Sequence, residues 1–141
     1  MTAISTGPVA AAPATAGTDS QLLRFALRAD ATLCAGLGLF VAMAADPLAR
    51  LSGLTPTAEW IAGASLVGYG ALLYLCARVP DVRRIGVAVL AGNAVFAGVV
   101  VVVLVAGWLP LTGFGVAATV TFTAVTVGFA CLQYLGVRRL A

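Results

Sequence analysis

Asp30 is the residue whose type and position most need a chemical explanation. It stands in "LRFALRADATLCAGLG", Leu23 to Gly38, behind Arg24 and Arg28 and at the head of a run that is otherwise apolar. A carboxyl group in such a segment either pairs with a cation and fixes one element against another, or it takes up a proton or a substrate. The structural reading pairs Asp30 with Arg24, Arg83 or Arg84. The functional reading makes it a proton or substrate site. Tyr69 and Asn93 are the companions of Asp30 in a candidate intramembrane polar site, because an amide or hydroxyl in an apolar run must find a hydrogen-bond partner. Asn93 reads first as a packing or register residue and second as a ligand contact. Tyr74 and Gln133 fall toward the same side of the membrane.

The absences narrow the chemistry further. The chain has no His and no Lys, so an imidazole metal site, a bis-His haem and a Schiff base have no ligands or nucleophile to build on. Its glycines sit inside apolar runs with no Gly-Lys-Ser/Thr following, which leaves no phosphate loop. Cys34, Cys76 and Cys131 lie in apolar stretches without a Cys-x-x-Cys pair and read as small hydrophobes. No catalytic residue, metal or cofactor is expected, and the chain reads as a non-enzyme.

The elements that hold these groups follow from hydropathy. With 62% hydrophobic residues, 9% charged residues and a mean hydropathy of +1.08, the chain is too apolar for a small water-soluble domain. The expected fold is all-α, a polytopic membrane protein with spans over residues 24–45, 58–77, 85–107 and 113–137. The first span reaches crossing length only if it begins before Asp30, which carries that acid into the membrane. Asn93 lies nine residues beyond Arg84 and Tyr69 nine residues before Arg78. At ~1.5 Å per residue each sits about 13 Å from its basic end, so the two should share a depth.

Arginine placement sets the expected orientation. Arg24, Arg28, Arg78, Arg83, Arg84, Arg138 and Arg139 fall on one side and Arg50 alone on the other, which predicts both termini in the cytosol. Trp60 and Trp108 then mark the outer interface, and Tyr74 and Tyr134 the inner one. Short connections predict an up-down-up-down bundle of four transmembrane helices. Residues 1–20, rich in Ala, Thr, Pro and Gly, read as a disordered cytosolic tail, and residues 21–141 as the transmembrane domain. The basic residues are dispersed at helix ends, which favours a membrane anchor over a nucleic-acid surface. An all-arginine basic set in an Ala, Val and Gly-rich chain points to a GC-rich bacterial source and its inner membrane.

Local signals complete the reading. Thr55 with Pro56 looks like a helix cap and first helical position, and Pro47 like a helix end. Ala64 with Gly68, Ala94 with Gly98 and Gly113 with Ala117 place small residues four apart, a spacing that lets helices pack closely in lipid. Thr112, Thr119, Thr123 and Thr126 share a face with Gln133, and their hydroxyls are expected to bond back onto their own helix.

The stretch "LARLSGLTPTAEWIAGASLVGYGALLYLCARVP" resembles the second-helix region of DoxX-like four-helix membrane proteins, and "LLRFALRADATLCAGLGLF", "GNAVF" and "LQYLGVRRL" resemble small bacterial four-helix integral membrane proteins more broadly. Three functions follow. The first is a non-catalytic accessory or assembly subunit whose partners are the lipid bilayer and a larger membrane complex or a second copy. The second is a small proton-coupled transporter using Asp30, similar to the four-helix multidrug exporters in size and in its acid on the first helix. The third, which the DoxX resemblance implies, is a membrane redox component with a quinone near Tyr69 and Asn93.

Overall fold

The apolar runs become helices, and the positions that touch are the ones where the chain is smallest. The computed structural model describes residues 15–140, with side chains from residue 20 onward. Its elements are α1 (Thr15–Met43), α2 (Ala45–Ser52), α3 (Pro56–Cys76), α4 (Val82–Ala106) and α5 (Gly113–Arg139). The described residues are all-α, and four of these helices are long and apolar enough to cross a bilayer, with the α1 span counted from Ser20 to Met43. Large apolar side chains such as Val105, Phe25 and Phe40 face outward, which is the arrangement that a lipid solvent permits.

Two boundaries differ from expectation. Helix α1 begins at Thr15, so residues 15–20 are helical; the expected disorder of the preceding residues lies outside the described ones. Extending a formed helix costs far less than starting one, and the apolar run from Leu22 onward supplies the formed part. The connection between the first two expected spans, residues 46–57, holds most of α2. Proline in a first helical turn lacks only an N–H that would be unbonded there anyway, so Pro47 sits in the first turn of this helix and does not merely end the previous one. Gly53 closes α2 in the left-handed region at φ 88°, returning its N–H to the Ala49 carbonyl.

The N-caps of α3, α4 and α5 are side-chain oxygens. Thr55 accepts from the Ala58 N–H with Pro56 following, as the sequence predicts. Asp81 accepts from the Arg84 N–H and also pairs with the Arg84 guanidinium at 3.0 Å. Thr112 accepts from the Gly115 N–H at 3.1 Å, while its own hydroxyl donates to the Leu51 carbonyl and its N–H to that of Ser52. Thr112→Ala should therefore lower stability by about 1–2 kcal/mol, while Thr112→Ser, which keeps the hydroxyl, should retain most of the stability. Thermal unfolding in detergent checks this, and equal damage from both substitutions would show that the cap is not the cause.

Helix α1 lies along α3 at backbone distance. A Cβ on Gly63 would stand 2.4 Å from the Ala42 nitrogen, one on Gly38 2.6 Å from the Gly63 carbonyl oxygen, and one on Gly70 2.6 Å from the Ala31 carbonyl oxygen. Arg24 extends the seam, donating to the Ala77 and Pro80 carbonyls at 2.6 and 3.3 Å. Residue numbers thus rise along α1 as they fall along α3. The pairs expected from four-residue spacing do not make these contacts: Gly68, Gly98 and Gly113 have nothing within 4 Å of an added Cβ. Spacing selects a helix face without naming its neighbour, and in this chain those faces point outward.

The dry core occupies the end of the bundle that carries Arg24. Leu23, Leu27, Leu73 and Ala77 are fully buried there, and Leu23 sits between Gly86 of α4 and Gly136 of α5. Away from that end, α4 pairs with α5 and α1 with α3, while α3 and α4 diverge. The divergence leaves a crevice.

Candidate functional site

Each long helix sends polar groups to one level of the bundle. Asp30 and Cys34 stand one turn apart on α1, Tyr69 on α3, Asn93 on α4, and Gln133 and Thr126 on α5. The Tyr69 hydroxyl donates to Asn93 Oδ1 at 2.9 Å, which places these two residues at the common depth predicted from their distances to the arginines. Asn93 Nδ2 donates to Gln133 Oε1 at 3.1 Å, and Gln133 Nε2 donates to Asp30 Oδ2 at 2.9 Å. From the other side the Cys34 thiol donates to Asp30 Oδ1 at 3.4 Å. All donors in this chain point toward the carboxyl group. Among the described residues no buried side-chain nitrogen or oxygen is left without a partner.

The expected ion pair is absent from this cluster. Asp30 is only 3% exposed, yet its bonded partners are a thiol and an amide, with no guanidinium among them. Arg24 instead serves the open carbonyls at the end of α3, where a helix C-terminus attracts cations, and Arg84 serves Asp81. Arg83 is exposed one helical position earlier. Since Asn93 is level with Asp30, both α4 arginines lie about 13–15 Å farther along the helix at ~1.5 Å per residue. Tyr74 likewise leaves the cluster: it faces outward, with Arg78 over its ring at 4.9 Å.

A cavity of about 490 Å³ runs from this cluster into the gap between α3 and α4. Asp30, Cys34, Tyr69, Asn93 and Thr126 line its polar end, and Ala62, Leu66, Gly92, Phe96 and Phe122 its apolar length. Phe96 and Phe122 meet edge to face with centroids 5.9 Å apart and form one firm wall. The volume is within the range of about 300–1,000 Å³ that suits small organic ligands, as is the combination of apolar walls with a few convergent polar groups. Another hollow, beside Asp46, Arg50, Leu54 and Pro56, has its acid and base exposed and holds no buried polar group.

The sequence reading brought Asp30, Tyr69 and Asn93 forward and the structure brings them together through Gln133. It missed the part played by Cys34, which was read as a small hydrophobe; its spacing of one turn from Asp30 was the available signal. It also missed Glu59, which is buried and accepts from the Ser52 hydroxyl where α2 meets α3. Three of the four threonines expected to bond back onto their own helix do so; Thr112 instead donates to the Leu51 carbonyl of α2. Thr119, Thr123 and Thr126 donate to the carbonyls of Gly115, Thr119 and Phe122, so they form no polar path.

Among the described residues, no group of three His, Cys, Asp or Glu side chains is placed to hold a metal ion. Comparison with protein-family models, curated proteins and solved structures gives no match. The functional reading rests on the crevice and its carboxyl group.

Proposed function

We propose that this chain is a small multi-pass carrier of a bacterial inner membrane, which admits an amphipathic molecule from the bilayer into the α3–α4 crevice and uses Asp30 as its proton-exchanging group. The observation that carries this reading is a buried carboxyl with no cationic partner at the closed end of a cavity. A carboxyl kept only to lock helices gains most from a paired cation, whereas one kept for exchange must remain free to change charge. The helices α1, α3, α4 and α5 then form the up-down-up-down bundle, with both termini cytosolic.

The topology is tested by reporters. A cytosol-specific reporter should be active at each terminus and an exterior-specific one near Ser52; cytosolic activity near Ser52 would invert the assignment. The carrier reading is tested in proteoliposomes under an imposed pH gradient, with phenylbutyltrimethylammonium, phenylbutanol and phenylbutanesulfonate as probes. At least one probe should discharge the gradient with the wild-type protein and not with Asp30→Asn. Discharge by none of them would remove the carrier reading.

A second reading, a non-catalytic subunit packed against a larger membrane assembly, is favoured by one observation. Gly68, Gly98 and Gly113 face outward with open space above them, so three helices offer sites for close approach by another chain. Stoichiometric copurification of another membrane protein after mild solubilisation would support it.

A further inference from the structure

We infer that the molecule taken into the α3–α4 crevice is a lipophilic cation, a primary or secondary ammonium with an aryl or alkyl body, and that its headgroup docks on Asp30. This rests on the reading of the crevice as a ligand site and adds the chemistry of the ligand. The argument comes from where the polar hydrogens go. The Tyr69 hydroxyl hydrogen is committed to Asn93, the Thr126 hydroxyl hydrogen to the Phe122 carbonyl, and the Cys34 thiol hydrogen to Asp30. What these side chains turn toward the cavity is oxygen or sulfur with lone pairs to offer. The remaining donors on the lining are the second amide hydrogen of Asn93, which lies toward Asp30, and the Ser65 hydroxyl.

Asp30 itself retains acceptor capacity, since a carboxylate offers about four lone-pair sites and Cys34, Gln133 and the neighbouring Asn93 amide supply fewer donors than that. One of those donors is a thiol, the weakest hydrogen-bond donor in the cluster. An ammonium entering along the apolar wall can take its place at Oδ1 as Cys34 turns away, while further N–H groups meet the Tyr69 and Thr126 oxygens. An anion would find one acid and few donors. The groups facing Asp30 are Cys34 from α1, Tyr69 from α3, Asn93 from α4 and Thr126 and Gln133 from α5, and none of them is cationic near neutral pH. A proton carried by Asp30 leaves as the cation enters, so cation binding releases up to one proton, and where a full proton leaves, the net charge of the crevice is unchanged.

The test is binding to the purified full chain in detergent, by calorimetry, with four probes of one body: phenylbutylammonium, phenylbutyltrimethylammonium, phenylbutanol and phenylbutanesulfonate. The primary ammonium should bind at least about tenfold more tightly than the alcohol, with the trimethylated cation between them and the sulfonate weakest. Asp30→Asn should weaken the ammonium by about tenfold or more and leave the alcohol within about twofold. Gly92→Leu, which fills the cavity at a position with open space and does not touch Asp30, should weaken ammonium and alcohol alike. Equal binding of alcohol, sulfonate and ammonium, all sensitive to Gly92→Leu, would overturn the cation and leave the crevice reading standing. Binding insensitive to Gly92→Leu, or no binding of any probe, would overturn both.

Discussion

Gly63→Leu should prevent α1 and α3 from packing, with a loss of more than about 3 kcal/mol in stability and little folded protein recovered from the membrane. The added Cβ would stand 2.4 Å from the Ala42 nitrogen, 2.6 Å from the Gly38 carbonyl oxygen and 2.9 Å from the Ala42 Cα. All three are backbone atoms, so no side chain can swing aside and the helices must separate. In lipid this seam cannot be replaced by hydrophobic collapse, because the surrounding tails are as apolar as the side chains. Gly68→Leu is the control. It makes the same chemical change on the same helix, where nothing lies within 4 Å, and should alter stability by no more than about 0.5 kcal/mol. Thermal unfolding in detergent and the yield of monodisperse protein report both. Gly68→Leu proving as harmful as Gly63→Leu would mean that the α1–α3 seam does not hold the fold.

Asp30→Leu should be the most damaging change in the polar cluster, and Asp30→Asn a mild one. Leucine leaves the buried Gln133 amide without its acceptor, at a cost of about 1–3 kcal/mol, and the disturbance passes to Asn93 and Tyr69 through the shared chain. Asparagine keeps the shape and one acceptor, so its cost should be about 1 kcal/mol, yet it cannot exchange a proton. Function and stability should therefore separate: Asp30→Asn remains folded and does not couple to pH. A double-mutant cycle adds a sharper check. Because Arg24 bonds the Ala77 and Pro80 carbonyls and not Asp30, the effects of Arg24→Ala and Asp30→Asn on melting should add within about 0.5 kcal/mol. Strong coupling between them would restore the ion pair that the sequence suggested.

The long helices were legible because their apolar runs are long and their ends carry strong signals, Thr55–Pro56 above all. The shared level of Tyr69 and Asn93 was legible too, since rise per residue converts the distance from an arginine into a position along each helix, but the place of Asp30 and Gln133 at that same level was not. The azimuth was not. Nothing in the spacing of Ala94 and Gly98 tells whether their face meets another helix or lipid, and the glycines that do meet, Gly38, Gly63 and Gly70, stand in no four-residue pair with each other. Arg24 and Asp30 looked like partners by proximity in sequence. Six residues on a helix turn a side chain through roughly 240°, however, so they look to different neighbours. The carbonyls at the end of α3 claimed the guanidinium first. Helix α2 was hidden because Pro47 is equally at home ending a helix and beginning one.

The central claim is that Asp30 is a carboxyl reached from the bilayer through the gap between α3 and α4. Labelling with a lipophilic carbodiimide, which dissolves in the hydrocarbon phase and adds to carboxyl groups there, tests this directly in native membranes, with peptide mass spectrometry locating the adduct. The account predicts an adduct on Asp30 that Gly92→Leu suppresses, with Glu59, buried against Ser52 away from the crevice, left unmodified. An unmodified Asp30, or an Asp30 adduct that Gly92→Leu leaves unchanged, would contradict it.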